Sequence, residues 1–268
     1  MKKVLDKLRG KGGSGEPGVD YAGAWDSVAR SFEKNHPDLE HIGDEWDGYR
    51  AGAARTNAEY VEVIREKVLG PSVEAGESVL EIGIGGGRTA AMMLEMGVKN
   101  LCLADVSDEM LRASRERLGE ERVSYAKLDG TTLGGVPERS FDACIVFDTL
   151  VHIEPRDIFN YLTRIPAVLR SEGRRHCLFH HCDTTSELGF QHFLMEWDQN
   201  LLGRRKGWAF SLMTKELMER FLAHLGYEVL ECDTDTIPRD VVWRCRAPES
   251  IDPALLAPTH ERFARGPG

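Results

Sequence analysis

From residue 76 onward, short apolar runs alternate with amphipathic stretches. Ser78–Ile82 is an apolar run that ends directly in glycines, and 88–96 follows with helical spacing. The run 101–104 ends at Asp105, and 109–118 is again helical. The run 123–128 ends at Asp129-Gly130, 141–147 is almost continuously apolar, 155–169 is helical and 176–181 is strand. Buried-type strands separated by helices predict a mostly parallel sheet covered on both faces, an α/β architecture. Lys215–Leu225 is the next helix, ended by Gly226. Two last strands, 227–232 and 241–246, are joined by a turn around Pro238-Arg239-Asp240, which predicts an antiparallel pair at the sheet edge.

Two regions break this rhythm. Before residue 70 the pattern is helical. Trp25, Val28, Ala29 and Phe32 share one face of a helix over 20–34, and His36-Pro37-Asp38 ends it. A second helix runs over 50–69 through Ala54, Ala58, Val61, Ile64, Val68 and Leu69, and Gly70-Pro71 stops it. Residues 1–69 therefore read as a helical extension, with a flexible glycine-rich stretch over 10–19. Residues 183–211 carry Phe190, Phe193, Met195, Trp197, Leu201, Leu202, Trp208 and Phe210 among polar positions, and read as an inserted helix and loop over the sheet. Residues 247–268 are proline-rich and read as a poorly ordered tail.

The formal net charge is -10 over 268 residues, which disfavours nonspecific nucleic-acid binding. Arg174-Arg175 and Arg204-Arg205-Lys206 are the tight basic clusters. The six cysteines form no CxxC, and several sit in apolar runs as small hydrophobes, so no disulfide framework is expected. The basic opening residues do not read as a signal peptide, and no segment has the length of a membrane span. A cytoplasmic protein is the default expectation.

The chemistry concentrates at the carboxyl ends of the strands, where ligands bind in open α/β sheets. Glu81 is followed by Gly83, Gly85 and Gly87, and glycines there let a ligand approach the backbone. Asp105 ends the second strand and can accept ribose hydroxyls; Asp129-Gly130 ends the third, within reach of an adenine amino group. Phe147-Asp148-Thr149-Leu150-Val151-His152 follows the fourth. A dinucleotide site is the main competitor. Laid on Gly83 and Gly85, the GxGxxG pattern meets Arg88 where Gly or Ala is needed. A shifted reading on Gly85, Gly87 and Ala90 fits GxGxxA but leaves Glu81 without a role. A phosphate loop is excluded, because no Gly-Lys-Ser/Thr follows.

The segment 79–87 resembles the first motif of the class I S-adenosylmethionine-dependent methyltransferases. Asp105 and Asp129 match the family's acidic residues after strands two and three, 141–147 resembles its fourth motif, and 169–173 resembles the lead-in to strand five. The resemblance covers roughly residues 70–246. It implies a Rossmann-like open seven-stranded sheet of order 3-2-1-4-5-7-6 with strand 7 antiparallel. His41 to Trp46, with Tyr49, is similar to the amino-terminal cover of bacterial small-molecule members. The roles it implies are specific. Glu81 orients the amino group of the methionine part, and Gly83, Gly85 and Gly87 pass beneath the cofactor. Asp105 holds the ribose, with Val106 flanking the adenine; Asp129 and Gly130 meet the adenine edge; Phe147 and Asp148 line the methionine side.

A hydroxyl acceptor benefits from a base that titrates near neutrality, and histidine is the natural choice. His152, just past the fourth strand, is the first candidate; a packing histidine before Pro155 is the alternative. His180 and His181 end the fifth strand, and alternation allows only one to face the pocket. His192 lies in the insertion. The run His176, His180, His181, Cys182 and Asp183 invites a metal reading, but a strand splits these side chains between two faces, so no metal is expected. Trp46, Tyr49, Trp197 and Trp208 are candidate walls of an apolar acceptor pocket; packing of extension and insertion onto the sheet is the other reading. The sequence thus predicts methyl transfer to a small organic acceptor, on a hydroxyl oxygen. N-methylation, a nicotinamide oxidoreductase and a noncatalytic protein that keeps the fold stay open, as does a homodimer.

Overall fold

The computed structural model describes residues 19–199 and 207–256. The glycine-rich stretch up to residue 18, the basic cluster 204–206 with Leu201 and Leu202, and residues 257–268 of the tail lie outside them.

Seven strands form one sheet in the order β3-β2-β1-β4-β5-β7-β6. They are β1 (Ser78–Ile82), β2 (Asn100–Asp105), β3 (Val123–Lys127), β4 (Ala143–Val146), β5 (His176–Cys182), β6 (Glu228–Asp233) and β7 (Asp240–Arg246). β1 pairs in parallel with β2 and β4, β2 with β3, and β4 with β5; β7 lies antiparallel between β5 and β6. The helices are α1 (Tyr21–Asn35), α2 (Asn57–Val63), α3 (Arg88–Glu95), α4 (Asp108–Leu118), α5 (Pro155–Val168), α6 (Glu187–Gln199), α7 (Lys215–Leu225) and the short α8 (Pro253–Leu256).

Every residue of β1 is buried because both faces of the sheet are covered, and side-chain alternation divides the core in two. Leu80, Ile82, Phe179 and Trp243 pack with Ile158 and Leu162 of α5 and Leu222 of α7. Val79, Ile145, Leu178 and Val242 pack on the other face with Ile64, Val68 and Met93. β6 is the exception. It is an edge strand with Val229 and Leu230 exposed, and the pairing with β7 is irregular at Val229 and Glu231.

The predicted helix over 50–69 is broken. A 3-10 turn at Tyr49–Ala51 lies between Gly48 and Gly52, both left-handed; α2 then starts at the Thr56 cap. It continues as a π-helical stretch, Ile64–Leu69, in which Gly70 N donates to Arg65 O. The predicted strand 141–147 is shorter, with Phe141 making only an isolated bridge to Leu169. α1 lies beside α4, where Phe32, Ile42 and Met110 form a small third core with Trp25.

Candidate cofactor site

The ends of β1, β2 and β4 open into a cavity walled by Ile82, Asp105, Phe147 and Leu150. Its floor is formed by residues 83–86; Gly87 does not line it and lies beside Ser114 and Leu118. Gly83, at φ +72, lies so close to Thr149 that an added Cβ would fall 2.2 Å from Thr149 Cγ2. Thr149 Oγ1 sits 2.9 Å from Gly83 O and 3.1 Å from Ile82 O, tying this loop to the turn after β4. Gly86 meets the loop before α2: an added Cβ would fall 2.1 Å from Ile42 O.

Asp105 is buried against this loop. Its Oδ2 accepts from Ile84 N (2.9 Å) and its Oδ1 from Ser107 N (2.7 Å). Burial pushes its carboxyl up to about 6, against the pull of these amide hydrogen bonds. A carboxylate offers about four lone-pair sites, so two accepted amides leave capacity for ribose hydroxyls. Glu81, in β1, does not line the cavity; it is 1% exposed, and its Oε2 has no hydrogen-bond partner among the described residues. Burial, and then the Asp105 charge, hold its carboxyl well above the usual range. A buried carboxyl oxygen without a partner fits a site that receives an amino group.

The cover comes from α1 and the segment 42–46. Tyr21, Trp25 and Trp46 line the cavity. Tyr21 Oη donates to Asp157 (3.1 Å) and accepts from Glu154 N (2.9 Å). Asp26 on α1 accepts from Ser107 Oγ at 2.6 Å, fastening α1 to the turn after β2. Arg88, the residue that spoiled the dinucleotide pattern, is buried between the Trp46 and Tyr60 rings and donates to Trp46 O at 2.7 Å. It anchors the cover to the first turn of α3.

The other expected residues divide. Val106, Phe147, Asp148 and His152 line the cavity. His152 packs edge-on against Trp25 and Phe210, with ring centroids 4.9 and 5.0 Å away. Gly130 lies beside Tyr21 and Val106. Asp129, in contrast, is exposed and turned into its own loop. It accepts from the hydroxyls and amides of Thr131 and Thr132, and these bonds, the Thr132 hydroxyl foremost, hold its carboxyl down at about 2. Among the aromatic walls, Trp46 lines the cavity, Trp208 is half-buried, and Tyr49 and Trp197 are 66% and 55% exposed. His192 stacks on Phe210 at 4.0 Å, with Nε2 3.6 Å from Glu196.

His180 and His181 are both fully buried and face opposite sides of the sheet. His181 Nε2 accepts from Trp243 Nε1 (3.0 Å) and Nδ1 pairs with Cys182 O (2.9 Å); burial lowers its pKa to about 4. It is a core residue. Among the described residues, no three His, Cys, Asp or Glu side chains converge as a metal site. Nor is any described helix long and apolar enough to cross a membrane.

Sequence reasoning missed Tyr21, Trp25, Arg88, Thr149 and Tyr161 as lining residues. A signal existed for the first two, which stand four apart on one helix face. Thr149 stood in the segment 147–152 after the fourth strand but was given no role there; Tyr161 had no signal.

Residues 79–173 match a family described as "Methyltransferase domain". Methyltransferase GfsG of Streptomyces halstedii is 31% identical over 106 residues, 38% of this chain and 37% of that protein. The eEF1A lysine and N-terminal methyltransferase of Mus musculus is 25% identical over 146 residues, 50% of this chain and 21% of that protein. The matches thus span well under half the length of either relative. Among solved structures, magnesium protoporphyrin IX methyltransferase ChlM of Synechocystis PCC 6803, crystallised with S-adenosylhomocysteine, shares the fold at 13% identity and a TM-score of 0.59, over 84% of this chain and 97% of that one. The [4+2]-cyclase SpnF does so at 15% and 0.59, over 87% and 99%. The domain match over residues 79–173 and the observed strand order are those the resemblance to class I S-adenosylmethionine-dependent methyltransferases implied. S-adenosylmethionine is the cofactor of that family, and the glycine floor, Asp105 and the unpartnered Glu81 oxygen fit it.

Proposed function

We propose that this chain transfers the methyl group of S-adenosylmethionine to a small organic acceptor. The observation that carries the reading is the cavity lined by Gly83 to Gly86, the buried Asp105 and the rings of Tyr21, Trp25 and Trp46, with the buried Glu81 in the strand that leads into it. When bound, S-adenosylmethionine supplies an electrophilic methyl on a sulfonium. Glu81 takes the amino group, and Asp105 accepts the ribose hydroxyls with the lone pairs that Ile84 and Ser107 leave unused. Tyr21, Trp25 and Trp46 exclude water and present ring faces to a cation. Holding donor and acceptor in line supplies much of the rate.

For a hydroxyl acceptor, His152 is the base: it lines the cavity and takes the proton as the oxygen attacks. N-methylation would need no such residue when the amine arrives neutral. In this reading residues 1–69 are the cover, 70–246 the catalytic domain with 183–211 as lid, and 247–268 a tail. A homodimer, a cytoplasmic location and the lack of a nucleic-acid partner belong to the same proposal; the net charge supports the last. The fold shared with a [4+2]-cyclase supports a second reading, in which the bound cofactor shapes a cavity for another reaction.

Calorimetric titration with S-adenosylhomocysteine and with NAD tests the cofactor. Binding of NAD alone would sink the reading. Formation of S-adenosylhomocysteine during turnover of a panel of hydroxyl and amine acceptors separates methyl transfer from the second reading.

A further inference from the structure

Asp148 stands in the turn two residues past β4 with φ +57, a left-handed conformation that is costly for a residue with a side chain. It lines the cavity there, and the next residue, Thr149, holds Gly83. Something must keep this turn in place. Asp148 N donates to His180 Nδ1 at 3.0 Å. An imidazole nitrogen that accepts carries no proton, so the ring proton sits on Nε2, which donates to Asp240 Oδ2 at 3.1 Å. Asp240 is gripped by Arg239, from Nε to Oδ1 and from Nη2 to Oδ2, both at 2.7 Å. Phe147 stacks on the His180 ring at 4.6 Å and fixes its plane.

The outer end of this chain reaches the cover and the insertion. Arg239 N donates to Ala51 O (3.1 Å), its carbonyl accepts from Asp183 N and Ser186 Oγ, and its guanidinium lies 4.6 Å from the Phe210 ring centre. Phe210 in turn packs on His152. The strand register makes this possible: β7 runs antiparallel to β5, pairing Cys182 with Asp240, so the ion pair stands two residues along β5 from His180.

We propose that His180 is a positioning residue: oriented by Asp240 and Arg239, it locks the left-handed Asp148 turn and thereby sets the wall of the cofactor cavity and its distance from the glycine floor. The functional half of this inference rests on the cofactor reading above; the structural half does not.

Two substitutions separate the two ends of the ring. The side-chain oxygen of His180→Asn stands about where Nδ1 stands, so it still accepts from Asp148 N but cannot reach Asp240. The amide of His180→Gln reaches Asp240 and offers Asp148 N no acceptor. Amide exchange by NMR reads the structural half without ligand. His180→Gln should speed exchange at Asp148 by roughly 100-fold relative to Leu80, while His180→Asn leaves it slow. Calorimetry with S-adenosylhomocysteine reads the functional half. His180→Gln should weaken binding about tenfold, and His180→Asn should restore it to within about threefold of the parent. Slow Asp148 exchange in His180→Gln, or parent-like binding by it, overturns the inference. Should His180→Gln not fold, nitrogen-15 spectra of the parent decide: a proton on Nε2 with Nδ1 as acceptor is expected, and a proton on Nδ1 overturns it. A parent that binds no S-adenosylhomocysteine overturns the cofactor reading and the functional half with it, while Asp148 exchange still decides the structural half.

Discussion

Gly86→Ala is the sharpest test of how the cover meets the glycine loop. Gly86 is not among the glycines with positive φ, so alanine brings no backbone strain there. The cost is steric. The new Cβ would lie 2.1 Å from Ile42 O and 2.9 Å from Ile42 Cβ, and the first contact is with backbone, which cannot rotate away. Either the glycine loop or the segment around Ile42 must move. Overpacking of this kind costs about 1–3 kcal/mol, and a chain of this size loses roughly 2–4 °C of Tm per kcal/mol. The moving segment carries Gly43 and Trp46, which line the cavity, and the carbonyl that Arg88 holds. Binding of S-adenosylhomocysteine should therefore weaken by about tenfold or more, and Trp46 should change its fluorescence. Gly85→Ala is the control. Its Cβ would meet only the Trp46 ring at 3.7 Å or beyond, but φ +51 charges it about 1–2 kcal/mol in backbone strain. It should lose stability while leaving the cover seated. Parent-like stability and binding in Gly86→Ala would refute the close approach of cover and loop.

Three further outcomes follow from the site. Asp105 binds its proton more tightly folded, at about 6, than free, so the stability it contributes is present at low pH and lost as pH rises from about 4 through 6. In chemical denaturation at pH 4 and pH 7, the difference between Asp105→Asn and the parent should move in the variant's favour by about 1–3 kcal/mol across that interval; no movement would count against the buried, raised carboxyl. Asp129→Ala should cost about 0.5–2 kcal/mol, as the loss of a cap does, yet leave S-adenosylhomocysteine binding within about twofold, because the carboxylate is spent on Thr131 and Thr132; a loss of binding would restore its adenine role. His152→Ala should lower turnover of a hydroxyl acceptor by about 10²–10⁴ with cofactor binding intact, and unchanged turnover would remove it as base.

The alternation of buried strands and helices made the sheet legible from residue 76 onward, because a parallel sheet with both faces covered requires continuous apolar runs. The helical reading of 50–69 failed on a local detail: the apolar spacing was present, but Gly48 and Gly52 adopt left-handed turns that no helix tolerates. Asp129 illustrates a different limit. Its place after β3 was readable, but the threonines that follow compete for its carboxylate, and that competition is settled by loop geometry.

The sequence alone thus determined the alternation of strands and helices and located the floor of the cofactor site, while the strand order was what its resemblance to a known family implied. The tertiary structure decided what surrounds that floor. Arg88 had looked like a mismatch, and it became the anchor of the cover because α2 and the segment 42–46 bring Tyr60 and Trp46 to either side of it. His180 and His181 were equal in sequence, and alternation sent one into the core against Trp243 and the other beneath Asp148. Asp240 joined the second only because β7 runs antiparallel beside β5. Local spacing fixes which face of an element a side chain occupies; which partner waits on that face depends on contacts distant in the chain.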